Sequence, residues 1–337
     1  MRMDFTTPIS IPAPAFTFSY ADPIQTFGSC FAENLGARLA ENRFDVDRNP
    51  FGILYNPASV ARTLRRLIAP EPYEATELHR YADLTHSFDH HGSFSSPSTA
   101  ETAKQINDQL LFSAARLRKS SRLIVTFGTA YVYRLKSTGQ VVANCHKMPD
   151  KFFERELLKT EEIVTEWKEL LPQLWTLNPA VKILFTVSPI RHVKDGLHAN
   201  QLSKATLLLA VDRLVADFPD RLAYFPAYEI MLDELRDYRF YAEDMLHPSP
   251  QAIAYIWNRF AEIYLEKDTQ KVLNEWQEIR KALNHRSLYP DSRSNQRFLE
   301  QTLLKIERFK EKMPSFDLSN EIQCIKSKLE YLHELFN

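Results

Sequence analysis

The sequence predicts an α/β protein built on a parallel sheet with helices on both faces. Short apolar, β-branched runs at residues 122–128 and 181–187 have the pattern of strands buried on both faces, and residues 24–28 read as a further short strand. Between them lie longer stretches whose apolar residues recur at i, i+3 and i+4, the period of a helix. Strands alternating with helices in this way close into a parallel sheet through right-handed crossovers.

In chain order, residues 24–28 (IQTFG) form a short strand that ends at Gly28. Ser29 then opens an amphipathic helix with Phe31, Leu35 and Leu39 on one face. Residues 44–47 form a second strand that runs into the turn Asn49-Pro50-Phe51-Gly52, and Pro57 begins a helix over 57–69. Residues 70–98, rich in Pro, His and Ser, are irregular, and Ser98 or Thr99 caps a helix over 99–118. The strand at 122–128 is followed by a hairpin of 131–135 with 141–143. A helix over 160–176, a strand over 181–187, a helix over 200–217, a strand over 221–225 and a helix over 226–236 complete the alternation. Residues 240–248 form a loop, and from Ser249 to about residue 284 the pattern is helical. After Pro290 the composition changes. Residues 292–312 and 319–336 are rich in Lys and Glu, with Leu, Ile and Phe at helical spacing. They predict two helices that pack on the main domain or on a second copy of the chain, making a homo-oligomer; a solvated hairpin is the plainer alternative. The expected domains are therefore 1–285, α/β, and 286–337, a helical extension.

Composition narrows the function classes. The chain has 337 residues, 42 Lys+Arg against 43 Asp+Glu, and a formal net charge of −1. A balance this even argues against nucleic acid or an anionic membrane surface as a partner. The three cysteines, Cys30, Cys145 and Cys324, are odd in number and far apart, which gives neither a disulfide framework nor a zinc motif. Prolines at 8, 12 and 14 break any signal-peptide core. No window approaches the ~20 apolar residues of a membrane span. A soluble cytoplasmic protein is expected.

Two places could carry chemistry. Gly28-Ser29-Cys30 lies where the first strand meets the first helix. In a doubly wound sheet, ligands bind outside the carboxyl ends of the strands. A serine there holds its hydroxyl at the mouth of the crevice and its N–H at a helix N-terminus, where it can stabilise an oxyanion. Its plainer role is N-cap of the helix. Asp244-Met245-Leu246-His247-Pro248-Ser249 lies on the loop before the last helix of the sheet domain. There a carboxylate can bond one imidazole nitrogen and leave the other free as a base; the plainer reading is a surface turn that starts a helix. Together the two give the order Ser…Asp…His on an α/β sheet.

The stretch Gly28-Ser29-Cys30-Phe31-Ala32, followed by Glu33-Asn34, resembles the signature of the GSCFA domain family, which is similar to the SGNH (GDSL-type) hydrolase superfamily. The resemblance continues through 49–57 (NPFGILYNP), 87–91 (SFDHH) with Phe94-Ser95, 128–133 (GTAYVY), 144–147 (NCHK), 186–192 (TVSPIRH) and Asp244-x-x-His247-Pro248, so that it spans about 20–250. It implies a three-layer, flavodoxin-like sheet with strand order 2-1-3-4-5. It also implies that Ser29 is a nucleophile, His247 its general base and Asp244 the residue orienting the base. The N–H groups of Ser29 and Gly52 would hold the oxyanion. SGNH enzymes add an Asn side chain after the third strand, where this chain has Ala130 in Gly128-Thr129-Ala130-Tyr131. Asn144, Asn56 and then Thr129 are the candidates to replace it.

The expected activity is hydrolysis of an ester of an acylated carbohydrate or other small polar molecule through an acyl-serine. An acyltransferase using the same intermediate is one alternative, and a non-catalytic carbohydrate- or nucleotide-binding module is the other. Asn56, Asp89, His91, Thr129, His146, Lys147 and Arg191 are the candidate substrate-binding residues, against structural hydrogen bonding and surface charge. Cys30 is the rival nucleophile, but successive residues entering a helix diverge by ~100°, so only one of the pair can face His247. His79, His86, His90 and His91 crowd Asp83 and Asp89 at irregular spacing, a weak pattern for a metal site. No metal or cofactor is expected.

Overall fold

Five parallel strands make the central sheet of the structure, a computed structural model that describes residues 6–336. In chain order the elements of its first half are β1 (Ile24–Gly28), α1 (Cys30–Glu41), β2 (Val46–Arg48), α2 (Pro57–Ile68), β3 (His79–Tyr81), β4 (Leu84–His86), α3 (Thr99–Leu117), β5 (Arg122–Phe127), β6 (Tyr131–Leu135), β7 (Val141–Val142) and β8 (Phe153–Leu157). The second half contributes α4 (Thr160–Leu177), β9 (Lys182–Val187), α5 (Leu197–Asp217), β10 (Leu222–Phe225), α6 (Ala227–Glu229), α7 (Pro250–Tyr264), α8 (Lys267–Leu283), α9 (Arg293–Lys312) and α10 (Ser319–Phe336). The sheet runs β10-β9-β5-β1-β2, every pair parallel. Counting only these strands, that is the expected order 2-1-3-4-5.

β1, β5 and β9 are buried on both faces, in keeping with the largely apolar runs of β5 and β9. Phe27, Val125 and Phe185 point into a core shared with Leu64 of α2, Leu110 of α3, Trp167 of α4 and Leu207 of α5. On the other face, Phe225 packs against Phe260 and Tyr264 of α7, with ring centroids 5.7 and 5.9 Å apart, and Phe18 joins them at 5.5 Å from Phe260. The main sheet polar residue Gln25 is buried, and it is satisfied by Asp47 of β2 at 2.8 Å and by the Ser113 carbonyl at 3.0 Å.

The structure departs from the sequence reading at local pairings. The irregular stretch 70–98 contains the hairpin of β3 and β4. The expected hairpin of β6 and β7 gains a third strand, β8, to give the order β7-β6-β8. β8 has the polar sequence FEREL, and one face of an antiparallel edge strand can be solvated, which hides it from an apolar-run search. Residues 226–236 form only the short α6 and a π-helical turn at Ile230–Glu234. The helical pattern from Ser249 to 284 breaks at Leu265 and Glu266, both in extended backbone. There the chain pairs Leu265 with Phe18.

By internal packing the chain divides into two compact units, Met1–Leu265 and Glu266–Asn337. α8 therefore groups with α9 and α10, although the composition change at Pro290 leaves it with the sheet. The second unit is centred on Trp276, Phe309 and Phe316, with Trp276 and Phe309 at 5.9 Å and Phe309 and Phe316 at 5.1 Å. Among the described residues, no helix is long and apolar enough to cross a membrane.

Candidate active site

Ser29 sits at the carboxyl end of β1, in extended backbone, as the N-cap of α1. Its Oγ accepts from the Phe31 N–H at 3.3 Å, and the side chain is almost wholly buried. The capping role is therefore real, and it places the residue at the carboxyl end of β1. The Ser29 N–H donates to the Thr126 carbonyl at 3.2 Å, extending the ladder between β1 and β5.

Asp244 and His247 meet within one turn. The loop is pinned at its base, where the Ala242 N–H donates to the His247 carbonyl at 2.7 Å and the Ser249 N–H to the Phe240 carbonyl at 2.8 Å. Asp244 Oδ1 accepts from the N–H groups of Leu246 and His247, each at 2.9 Å. Its Oδ2 accepts from His247 Nδ1 at 2.6 Å. The two backbone N–H groups, and then the imidazole, hold the Asp244 carboxyl down at about 2. An ionised carboxylate only accepts hydrogen bonds, so the proton of a neutral His247 lies on Nδ1 and its Nε2 lone pair is left to act as a base. The loop is tied to the end of β9 by the Arg191 N–H, which donates to the Leu246 carbonyl at 3.2 Å.

Among the described residues, no hydrogen bond joins Ser29 to His247. What stands beside the serine is His192. A Cβ on Gly128 would lie 3.2 Å from Ser29 Cβ, 3.2 Å from His192 Nε2 and 3.0 Å from the Tyr55 carbonyl. Gly128 is thus the floor on which the three converge, and any larger residue would crowd them. The His192 ring packs edge-on against Tyr55, with centroids 5.6 Å apart, and the His192 N–H donates to Asn200 Oδ1 at 2.9 Å. Burial pushes the His192 imidazole down to about 3, helped by the positive charges of Lys204 and Arg155 and by His247. Lys204 is itself fully buried on α5 and donates to the carbonyls of Gly128 at 2.6 Å and Ser188 at 2.7 Å. It clamps together the segments that leave β5 and β9.

The Gly52 N–H and the side-chain oxygens of Asn56 and Asn144 each have a local partner. The Gly52 N–H donates to the Asn49 carbonyl at 2.6 Å. Asn56 caps α2, its side chain accepting from the Ser59 N–H at 2.8 Å. Asn144 accepts from the His146 N–H at 2.8 Å. Thr129 bonds Ser203 Oγ at 3.0 Å and accepts from the Tyr131 N–H at 3.1 Å. Ala130 is buried, with its N–H donated to Ser203 Oγ at 2.8 Å.

Of the candidate substrate residues, Asp89 is paired with Arg62 at 2.7 Å and accepts from Tyr73 at 3.0 Å. His91 packs against Gly52, where a Cβ would stand 2.3 Å from its own Cβ. His146 is buried with Nε2 at 2.8 Å from the Ser87 carbonyl, and burial lowers it to about 4. Lys147 is exposed. The Arg191 guanidinium lies 4.0 Å from the centre of the Tyr241 ring, at the wall of a hollow of about 180 Å³ lined by Met231, Tyr238 and Tyr241. The Cys30 thiol is 4.0 Å from Tyr55 OH, and burial, the largest influence on it, raises its pKa, the opposite of an activated thiolate. His86 stacks on His146 with centroids 4.4 Å apart, and His79 packs tilted against both at 5.5 and 5.7 Å. Among the described residues, no group of three His, Cys, Asp or Glu side chains is arranged to hold a metal ion.

Sequence reasoning assigned no part to His192 and Lys204. His192 had two signals: it closes the family-like stretch 186–192, and it is a polar residue beyond the carboxyl end of β9. Lys204 had none, since a lysine on a helix reads as solvated.

A family model described as the GSCFA family matches residues 23–260, and another, described as the C-terminal domain of GSCFA domain proteins, matches residues 276–331. No curated protein matches the chain. Among solved structures, an acetyl xylan esterase (Est2A) from the rumen bacterium Butyrivibrio proteoclasticus is similar to 75% of this chain at 11% identity and a TM-score of 0.35. That match spans 66% of the esterase chain, just under two thirds of its length. With the first model covering the whole parallel sheet, from the start of β1 into α7, the chain belongs to the GSCFA family.

Proposed function

We propose that the protein hydrolyses an acyl ester through a covalent intermediate on Ser29. The observation that carries this reading is the Asp244–His247 pair, an imidazole whose Nδ1 is held at 2.6 Å by a carboxylate that is itself fixed by two backbone N–H groups. Ser29 Oγ attacks the ester carbonyl carbon as His247 Nε2 takes its proton. The tetrahedral oxyanion collapses, the bond to the alcohol breaks, and the alcohol leaves with the proton from His247. Water then attacks the acyl-serine, again giving its proton to His247, and the acid departs as Ser29 regains its hydrogen. The substrate class is a small polar ester such as an acylated carbohydrate, in keeping with Arg191 and Tyr241 at the neighbouring hollow. Replacement of water by a second alcohol would make the same site an acyltransferase.

A fluorophosphonate probe tests the reading, because it labels only an activated serine. Wild-type protein should be labelled and Ser29→Ala should not, with both melting within a few degrees of each other, since an N-cap is worth ~1 kcal/mol. His247→Ala should behave as Ser29→Ala. Unlabelled wild-type protein would remove the enzyme reading. The second reading, a non-catalytic binding module, is favoured by one observation: the Ser29 and Gly52 N–H groups both already bond carbonyls.

A further inference from the structure

We infer that His192 supplies the side-chain hydrogen bond to the oxyanion in place of the asparagine that Ala130 displaces. The inference deepens the proposed acyl transfer to Ser29 and rests on it. Four observations converge. The chain has alanine where the related hydrolases carry a donor, and Ala130 is buried with its own N–H committed to Ser203. Asn56 and Asn144 are fixed locally through their side-chain oxygens and Thr129 through Ser203, whereas the atoms nearest the Gly128 position beside Ser29 come from His192 and Tyr55. His192 Nε2 is buried and has no hydrogen-bond partner, a condition that buried polar atoms rarely tolerate without a function. Finally, that atom and Ser29 Cβ both stand 3.2 Å from the space a Gly128 side chain would fill. The nitrogen is thus close enough to Ser29 to reach an oxygen developing on a carbonyl that Ser29 Oγ attacks.

The imidazole suits the task. Neutral across the working range of an esterase, it donates through Nε2–H when its proton sits there, and a donor without a formal charge needs no counter-ion in a buried site. Asn200 on α5 holds the backbone N–H of His192 and the Tyr55 ring packs edge-on against its imidazole, so the donor requires little reorganisation when charge forms. A general base needs an affinity for protons near the working pH, which a buried imidazole lowered to about 3 lacks; His247 keeps that part. His192 would touch the reacting oxygen and is in that sense catalytic.

The test is the rate at which the fluorophosphonate labels Ser29, since phosphonylation develops the same negative oxygen and requires no knowledge of the natural ester. Two variants separate the roles. His192→Phe keeps a ring against Tyr55 and removes the donor; His192→Gln keeps an N–H donor and cannot act as a base. His192→Phe should label ~100-fold more slowly than wild type, with a melting temperature equal to or above that of wild type because an unpaired buried nitrogen is gone. His192→Gln should recover at least ~10-fold of the rate lost in His192→Phe, with the pH dependence of labelling unchanged. Full-rate labelling of His192→Phe overturns the donor role, and His192→Gln as slow as His192→Phe overturns it as well, assigning His192 to proton transfer or packing. Should His192→Phe fail to fold, the wild-type-to-Gln comparison and its pH profile still decide, a loss above ~100-fold overturning the inference. Absence of labelling in the wild type itself would instead overturn the nucleophile assignment, and this inference with it.

Discussion

Lowering the pH should destabilise the protein through His90 before most of its carboxylates are protonated. His90 is 1% exposed, with its ring stacked on Phe51 at 4.2 Å and 8°. Its Nδ1 lies 2.8 Å from Ser87 Oγ, and its Nε2 is buried without a partner. Burial first, then the charges of Arg66 and His146, push the imidazole from 6.5 down to about 3. Above pH 6.5 both folded and unfolded chains carry it neutral, and no stability is lost. As pH falls from 6.5 toward 3, only the unfolded chain takes up the proton, so stability declines by ~1.4 kcal/mol per pH unit. By pH 4.5 the loss from this one residue is about 2–3 kcal/mol, a large part of the ~5–15 kcal/mol that holds a typical fold together. His79 and His146, both lowered to about 4 chiefly by burial, add further losses in the same direction. The assay is urea unfolding at pH 7.5 and 4.5 on wild type and His90→Phe, which keeps the stack on Phe51 and removes the titrating nitrogens. The wild type should lose about 2–3 kcal/mol more than the variant between the two pH values. Equal losses in the two proteins would refute the reasoning.

Other substitutions probe the crevice. Gly128→Ala, whose methyl would press on the Tyr55 carbonyl, Ser29 and His192, should slow fluorophosphonate labelling of Ser29 ~10-fold or more, with a stability loss within ~1–3 kcal/mol measured by the same urea titration. Lys204→Met leaves the buried Gly128 and Ser188 carbonyls without their ammonium partner and should lower stability by roughly 1–3 kcal/mol while slowing labelling. Asp244→Asn keeps the shape of the turn and removes its charge; labelling at pH 7 should fall ~100-fold or more as the imidazole loses its preferred tautomer. Cys30→Ser should label at the wild-type rate; a dead Cys30→Ser beside an active Ser29→Ala would make the thiol the nucleophile.

The sheet was legible because its chemistry is one-dimensional. A strand buried on both faces is apolar along most of its length, and RLIVTF and KILFTV, past their charged first residues, depart from that only at one threonine each. Helix starts were legible for a similar reason: Ser29, Ser98 and Ser249 cap their helices through the side-chain oxygen that a sequence shows directly. What stayed hidden depends on partners far along the chain. β8 exists because β6 offers it an edge, with Tyr131 opposite Leu157, and nothing in FEREL announces that. The break at Leu265 arises because Phe18, almost 250 residues earlier, pairs with it, whereas the local pattern from Ser249 onward is continuously helical.

The same division applies to the crevice. Asp244 and His247 are three residues apart, and their turn closes on itself, so their contact could be foreseen from spacing alone. Ser29, Gly128 and His192 come from the ends of three different strands, β1, β5 and β9, and only the sheet brings them to one point. The buried Lys204 belongs to this second kind, for its ammonium makes sense only where two strand ends present their carbonyls together. The Ser29 and Gly52 N–H groups, which the family resemblance assigns to the oxyanion, are both turned to carbonyls, at 3.2 and 2.6 Å. Acyl chemistry at Ser29 then requires one of two things. Either the weaker bond, from Ser29 to Thr126, yields when a tetrahedral oxygen forms, or a side chain carries more of the charge than in a site with open backbone donors. Both routes give His192 more weight than a single donor ordinarily has, because its Nε2 has no competing acceptor to abandon.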